Sequence, residues 1–176
     1  MDIISCIVIV GKPGAGKSSI GMLLAKLLGG TYMSLGGFMR ETLGIPDPHI
    51  GVDKNRIYNL LHEHLVNSGV SGALVLDCHP YPEDDLEALH TFVRKPAIKL
   101  RTVIHVVADD SVALKRLERR PRPGQTDEER LKYFNDHLPF IDRLLKHPSA
   151  MRIENNAENT HAIESIARDV VSRLST

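Results

Sequence analysis

Five short apolar runs punctuate the 176 residues: Ile3 to Val10, Thr31 to Ser34, Ala73 to Leu76, Thr102 to Val107 and Met151 to Glu154. Each has strand length, and strands that alternate with helical patterns predict a parallel sheet with helices on its faces. Between the runs, apolar positions recur at helical spacing: Ile20, Leu23, Leu24, Leu27 and Leu28, then Ile57, Leu60, Leu61 and Leu65, then Leu86, Leu89 and Val93. That period gives each helix one face to bury. The longest such pattern, Leu131, Phe134, Leu138, Ile141 and Leu145, is crossed by Pro139, which removes a donor and is expected to bend the helix. Ile163, Ile166, Ala167, Val170 and Leu174 predict a last helix docked on the sheet. No internal repeat is visible, and Ile45 to Gly51, stiffened by Pro46 and Pro48, reads as a loop in a peripheral insertion.

Composition narrows this to one domain, since 176 residues at 42% hydrophobic content can bury one proper core and not two. Lys plus Arg and Asp plus Glu balance at 22 each, so no overall field favours nucleic acid or membrane, and an anion must be held by local geometry. Cys6 and Cys78 alone make no framework for disulfides or structural zinc, and a reducing cytoplasmic setting is expected. The apolar opening is too short to span a bilayer and has no basic flank, which makes it a core strand in expectation. A monomer acting on small molecules is the simplest reading.

The first apolar run ends on GKPGAGKS, residues Gly11 to Ser18, which satisfies G-x-x-x-x-G-K-[ST] between a predicted strand and a predicted helix. In such a loop Gly11, Gly14 and Gly16 let backbone N–H groups converge on phosphate oxygens, with Pro13, Ala15 and Ser19 along the same cradle. The helix that follows adds the positive end of its dipole, Lys17 supplies a mobile charge for the terminal phosphates, and Ser18 can ligate Mg2+. Asp77 closes the run Ala73 to Leu76 at a strand's C-terminal edge, where open parallel sheets collect ligands. It is the candidate Mg2+ partner through water; the alternative is a turn-capping aspartate before Pro80.

Arg116, Arg119, Arg120 and Arg122 cluster, with Arg130 beyond, and phosphoryl transfer calls for such permanently charged planar donors. On one helix Arg116 and Arg120 would share a face, whereas any one of them alone can be a solvated surface residue. The nine histidines form no zinc pattern: His62 and His64 point to different sides of their helix, His105 sits in a buried strand, and His79 lies beside Asp77 near the expected cleft. Asp109 and Asp110 are accounted for by helix capping.

These motifs, taken together, resemble the adenylate kinase and nucleoside monophosphate kinase family over nearly the whole chain. The loop followed by LAKLLG is similar to that family's opening, and YMSLGGFMR, residues 32 to 40, resembles its S-T-G-D-x-x-R element through Ser34, Gly36 and Arg40. LDCHPYPEDD, residues 76 to 85, is similar to its L-D-G-F-P-R segment, of whose signature residues Asp77 and Pro80 remain. Arg116 and Arg120 fall where the family has its lid arginines, and RLKYF with Pro139 resembles the helix leaving the lid and brings Arg130. Asn155 to Ala157 resembles the turn at the donor adenine.

The resemblance implies an α/β P-loop NTPase fold with a five-stranded parallel sheet flanked by helices, a small helical acceptor-binding insertion at about 36–70 and a short lid at about 119–127. It implies ATP and Mg2+ as cofactors. Lys17, Arg116, Arg120 and Arg130 would act in catalysis, Arg116 also at the donor, and Leu35, Gly36, Arg40, Tyr81 and Asp85 at the acceptor. The acceptor side departs from the pattern: Leu35 stands for threonine, Gly37 for aspartate, Tyr81 for the second acceptor-phosphate arginine, and Asp85 for the glutamine that reads adenine. An ionised Asp85 offers only acceptors, which suits a base with two adjacent donors, such as guanine. The leading expectation is transfer of the terminal phosphoryl group of MgATP to a nucleoside monophosphate. Two alternatives share the fold: a kinase acting on a hydroxyl of a small metabolite, with Asp77 as base, and an ATP-binding switch or assembly factor with weak hydrolysis that is sensed by a protein partner.

Overall fold

The computed structural model describes residues 3–45, 52–78, 83–119, 126–156 and 159–175, the side chains of residues 83, 140 and 160 excepted. Five strands, β1 (Ile4–Val10), β2 (Thr31–Ser34), β3 (Gly72–Asp77), β4 (Ile98–Val107) and β5 (Met151–Glu154), form one sheet in the order β2-β3-β1-β4-β5. All neighbours run parallel. This is the sheet that the five apolar runs predict. The strand β4 begins at Ile98, earlier than its apolar run suggested, because Lys99 breaks the apolar pattern while still pairing with Ser5 of β1, and Arg101 is passed over at a register shift between Cys6 and Ile7.

The helices are α1 (Lys17–Leu27), α2 (Leu35–Gly37), α3 (Lys54–Asn67), α4 (Glu83–Phe92), α5 (Asp110–Leu117), α6 (Asp127–Asp136), α7 (Leu138–Leu144) and α8 (Thr160–Leu174), with a π-helical turn at Phe38–Thr42. The strand β1 shows why a buried parallel strand reads as a continuous apolar run. Ile4, Cys6, Val8 and Val10 pack with α3, α4, α7 and the Phe38 turn, while Ile7 and Ile9 pack on the other face with α1 and α8. A third, small cluster of Ala113, Leu117 and Leu131 joins α5 to α6.

The pattern through Pro139 departs from the expected single bent helix. Helix α6 stops at Asp136, His137 joins it to α7, and Pro139 occupies the first turn of α7, where its missing N–H costs no helical hydrogen bond. The start of α6 is fixed by a capping box in which Thr126 and Glu129 satisfy each other's backbone N–H groups. The loop 46–51 lies outside the described residues. Among those described, no helix is long and apolar enough to cross a membrane, and Cys6 and Cys78 are separate buried thiols.

Candidate functional site

Register places several polar residues at one end of the sheet. Asp77 closes β3 beside Ile9 of β1 and Ser34 of β2, and His105 of β4 pairs with Val10, one residue before the loop begins. The crossover from β3 to β4 passes over β1, so the chain leaves β1 where strand order reverses, the place at which open α/β sheets bind ligands.

The loop itself is held by contacts that forbid side chains. A Cβ on Gly11 would lie 2.1 Å from the carbonyl oxygen of Val106, and one on Gly14 2.4 Å from that of Ala113. Gly16 caps α1 at φ 89°, in the left-handed region, and its Cβ would meet Asn155 Nδ2 at 2.3 Å. Asn155 is fully buried and donates from Nδ2 to the Ala15 carbonyl at 2.8 Å. Arg116, on α5, donates from one Nη to the Gly14 carbonyl at 3.1 Å and to the Asn155 carbonyl at 3.0 Å. Lys12 is paired with Asp110 at the start of α5. The loop is thus braced from outside by α5 and by the turn after β5.

That bracing corrects the capping account of Asp109 and Asp110. Asp109 occupies the N-cap position of α5 without a side-chain cap bond, and it accepts from Asn156 Nδ2 at 3.1 Å instead. Asp110 is engaged by Lys12.

Lys17, with 6% of its surface exposed, donates to the carbonyls of Gly11 at 2.7 Å and Lys12 at 3.1 Å. A buried ammonium resting on loop carbonyls is held at the cradle, where an anion's phosphate oxygens can take over from the carbonyls. Ser18 donates from Oγ to Asp77 Oδ2 at 2.9 Å, so the two expected metal residues do meet. Tyr32 adds a contact that no motif indicates: its hydroxyl also donates to Asp77 Oδ2, at 2.9 Å. Its ring lies against α1 at Gly21, where a Cβ would come within 2.7 Å of it. Burial, followed by the Asp77 carboxylate, pushes the Tyr32 phenol far up, so the hydroxyl stays a donor.

The second Asp77 oxygen, Oδ1, is buried and has no hydrogen-bond partner among the described residues. A buried carboxylate oxygen left without a donor is costly, and a cation or its water would satisfy it. Mg2+ keeps several waters and takes only one or two protein oxygens alongside phosphates, so Ser18 and Asp77 fit it. No larger cluster of His, Cys, Asp or Glu suited to a metal occurs among the described residues. His105 is buried on the strand beside the loop, and its imidazole is pushed below its ordinary value by burial first, then by Arg152 and Lys17, with Asp142 opposing.

Around β2 the other expected residues gather less tightly. Ser34 caps α2 by accepting from the Gly37 N–H, and Leu35 is buried in the core. Arg40 is exposed on the π-helical turn, with its guanidinium nitrogen 3.2 Å from where a Gly36 Cβ would stand. Asp85 is only 5% exposed and faces Lys54 Nζ at 3.9 Å. Burial, outweighing Lys54, pushes its carboxyl up to about 6. Oδ1 of Asp85 and the hydroxyl of Tyr58, both buried, have no hydrogen-bond partner among the described residues. Cys78, also buried, is pushed up by desolvation and by the carboxylates of Asp85 and Asp77.

Arg130 lies on α6 and donates to Asp127 at 2.7 Å. Arg120, Arg122, Tyr81, His79 and Pro80, with Ala157 and most of the expected lid, lie outside the described residues; α5 ends at Leu117. Tyr32 and Asn155 are the contributors that sequence spacing did not single out as a phosphate-site pair. The signal for Tyr32 was its place two residues before Ser34, on a strand ending at the same edge as Asp77.

Adenylate kinases from Mycobacterium tuberculosis and Mycobacterium bovis are each 26% identical to this chain over 152 residues, 77% of this chain and 83% of theirs. The adenylate kinase from Mycobacterium ulcerans is 26% identical over 159 residues, covering 80% of this chain and 87% of its own. Among solved structures, a shikimate kinase from Bacteroides thetaiotaomicron superimposes with a TM-score of 0.68 over 98% of this chain and 99% of that one, at 18% identity, a likeness of fold. No family model matches the chain. With the braced glycine loop, Lys17 and the Ser18–Asp77 pair at the switch point of a 2-3-1-4-5 sheet, these likenesses support an adenylate kinase-like P-loop kinase, an ATP-dependent phosphotransferase.

Proposed function

We propose that the chain is a nucleoside monophosphate kinase that transfers the terminal phosphoryl group of MgATP to the phosphate of a nucleoside monophosphate. The observation that carries this reading is the Arg40 guanidinium against Gly36, at the same sheet end as the P-loop. A planar, permanently charged donor beside an open backbone suits a phosphate already present on the acceptor.

In this reading Gly11, Pro13, Gly14, Ala15, Gly16 and Ser19 line the donor polyphosphate, and Lys17 moves from the Gly11 and Lys12 carbonyls to the terminal phosphates. Ser18 and Asp77 would hold Mg2+, Tyr32 anchoring the carboxylate from behind. When bound, the ion neutralises charge on the donor phosphates. Arg116, with Arg120 of a lid at about 119–127 and Arg130 of the helix that leaves it, closes over the transferring group and excludes water. The protein positions and neutralises; it supplies no covalent nucleophile.

The acceptor rests in an insertion at about 36–70, comprising α2, the π-helical turn and α3, with Leu35, Gly36 and Arg40 near its phosphate. Lys54 beside Asp85 pairs a donor with a carboxylate acceptor. That combination complements guanine, which presents one acceptor next to two donors, better than adenine. The test is incubation with MgATP and each monophosphate in turn, with the products separated and identified. A nucleoside diphosphate, formed fastest from GMP, is expected. AMP as clearly the best acceptor removes the base assignment, and no diphosphate from any monophosphate removes the function.

A further inference from the structure

Remote from the phosphate loop, a cavity of about 250 Å³ opens between α4 and α7 on the face of the sheet opposite α1. Its floor is apolar: Val8 and Val103, paired in register between β1 and β4, with Leu89 of α4 and Leu144 of α7. Among the described residues, the polar side chains of its rim are His90, Arg143, Lys146 and His147. In a chain whose 22 acidic and 22 Lys or Arg residues balance, two permanent cations, Arg143 and Lys146, beside two histidines at one mouth are a local excess.

The excess is felt inside the rim. His90 is held below its ordinary value by burial first, then by the positive fields of Arg94 and Arg143, with Glu87 opposing. The His147 ring is fixed by a 2.9 Å hydrogen bond between Nδ1 and the Ser149 hydroxyl. An anionic group would offset the positive charge at the rim, whereas the floor, among the described residues, offers no hydrogen-bonding side chain and so demands an apolar body. The volume holds a body of roughly ten heavy atoms, too little for a nucleoside triphosphate.

We propose that this cavity binds a small amphipathic anion, its alkyl or aromatic body on Val8, Val103, Leu89 and Leu144 and its single negative head among His90, Arg143, Lys146 and His147. The site is separate from the nucleotide cleft. An anion there favours the protonated imidazole, so binding tightens as pH falls through the titration of His90, with Glu87 and Arg94 on α4 and Arg143, Lys146 and His147 after it setting the field.

Octanoate is the probe, titrated by calorimetry into the full chain saturated with MgATP. We expect one site per chain with a dissociation constant of roughly 0.1–1 mM, at least about tenfold tighter than octanol or octylammonium, and weakened at least about tenfold by Lys146→Glu. Leu89→Trp, which fills the floor, should abolish binding. Should it fail to fold, the imidazole signals of His90 in the parent chain carry the same reading, since octanoate should raise the pH at which they titrate. Equal binding of octanol, octanoate binding to the nucleotide-free chain that is lost when the chain is saturated with MgATP, or no heat and no histidine shift at 5-fold excess over about 1 mM overturns the proposal. So does concentration-dependent association abolished by Lys146→Glu, which would assign the cavity to a second copy of the chain.

Discussion

The two sides of the cleft are built from different materials. The donor side is made of backbone: a glycine loop whose every permissive position is pressed against a neighbouring atom, braced by Arg116 and Asn155, with a buried lysine already resting on its carbonyls. The proposed acceptor side is made of side chains, and its wall holds a buried carboxyl, a buried phenol and an ammonium 3.9 Å from that carboxyl, with polar atoms that lack partners among the described residues. A backbone cradle grips any polyphosphate and tolerates little change. A wall of ionisable side chains can be retuned one residue at a time, which is where this chain departs from the family pattern it resembles.

The largest expected effect breaks the donor side. Lys17→Ala removes the one mobile charge of the cradle, and turnover should fall about 10²–10³-fold, roughly 2.7–4 kcal/mol of transition-state stabilisation, in a coupled assay of a variant with unchanged far-ultraviolet dichroism. A near-parent rate would separate the loop from the chemistry.

The next prediction probes the acceptor wall. The Asp85 carboxyl titrates near 6 in the fold, above its ordinary 3.8, so the native state holds a proton that the unfolded chain releases. The resulting stability is fully present below about 3.8 and is lost as pH rises through about 6, up to about 3 kcal/mol across that window. Denaturant melts at pH 4 and pH 7 should show the decline, and Asp85→Asn should flatten it. Equal pH slopes in parent and variant would place the titration elsewhere.

Smaller again, Gly16→Ala sets a Cβ 2.3 Å from Asn155 Nδ2 at a positive φ and should cost about 1–3 kcal/mol of stability. Asn155→Ala combined with it should recover part of the loss, since the steric half of the problem disappears; thermal melts of the single and double variants measure this. The mildest is Tyr32→Phe, which deletes one of two hydrogen bonds to Asp77 Oδ2. Losing about 0.5–1.5 kcal/mol of positioning should raise the Mg2+ concentration for half-maximal nucleotide binding roughly 2–10-fold, with little change in melting temperature. An unchanged Mg2+ dependence would reduce Tyr32 to packing.

How much of this was legible in the sequence follows the same division. GKPGAGKS is local, its spacing is dictated by phosphate geometry, and its flanking strand and helix formed where the apolar pattern put them. The Asp77 position was readable as a strand end, but its Tyr32 contact joins residues 45 apart and has no spacing signature. Asp85 was singled out through the family resemblance alone; its burial follows from sharing the helical spacing of Ala88, Leu89 and Phe92, which two preceding acidic residues mask in the sequence. Pro139 was recognised as a disruption, yet whether proline bends one helix or opens another depends on which residues pack behind it. The bracing by Arg116 and Asn155 is tertiary, set by how α5 and the β5 turn return to the loop.

Everything at the donor side rests on main-chain amides and one ammonium closing around phosphate. Calorimetric titration of MgATP into the parent chain and into Lys17→Ala tests that directly. The account expects a saturable one-to-one heat for the parent with submillimolar affinity, of roughly −4 kcal/mol or stronger, and its loss in the variant. Heats that do not saturate at millimolar nucleotide, or that are the same in both proteins, would contradict it.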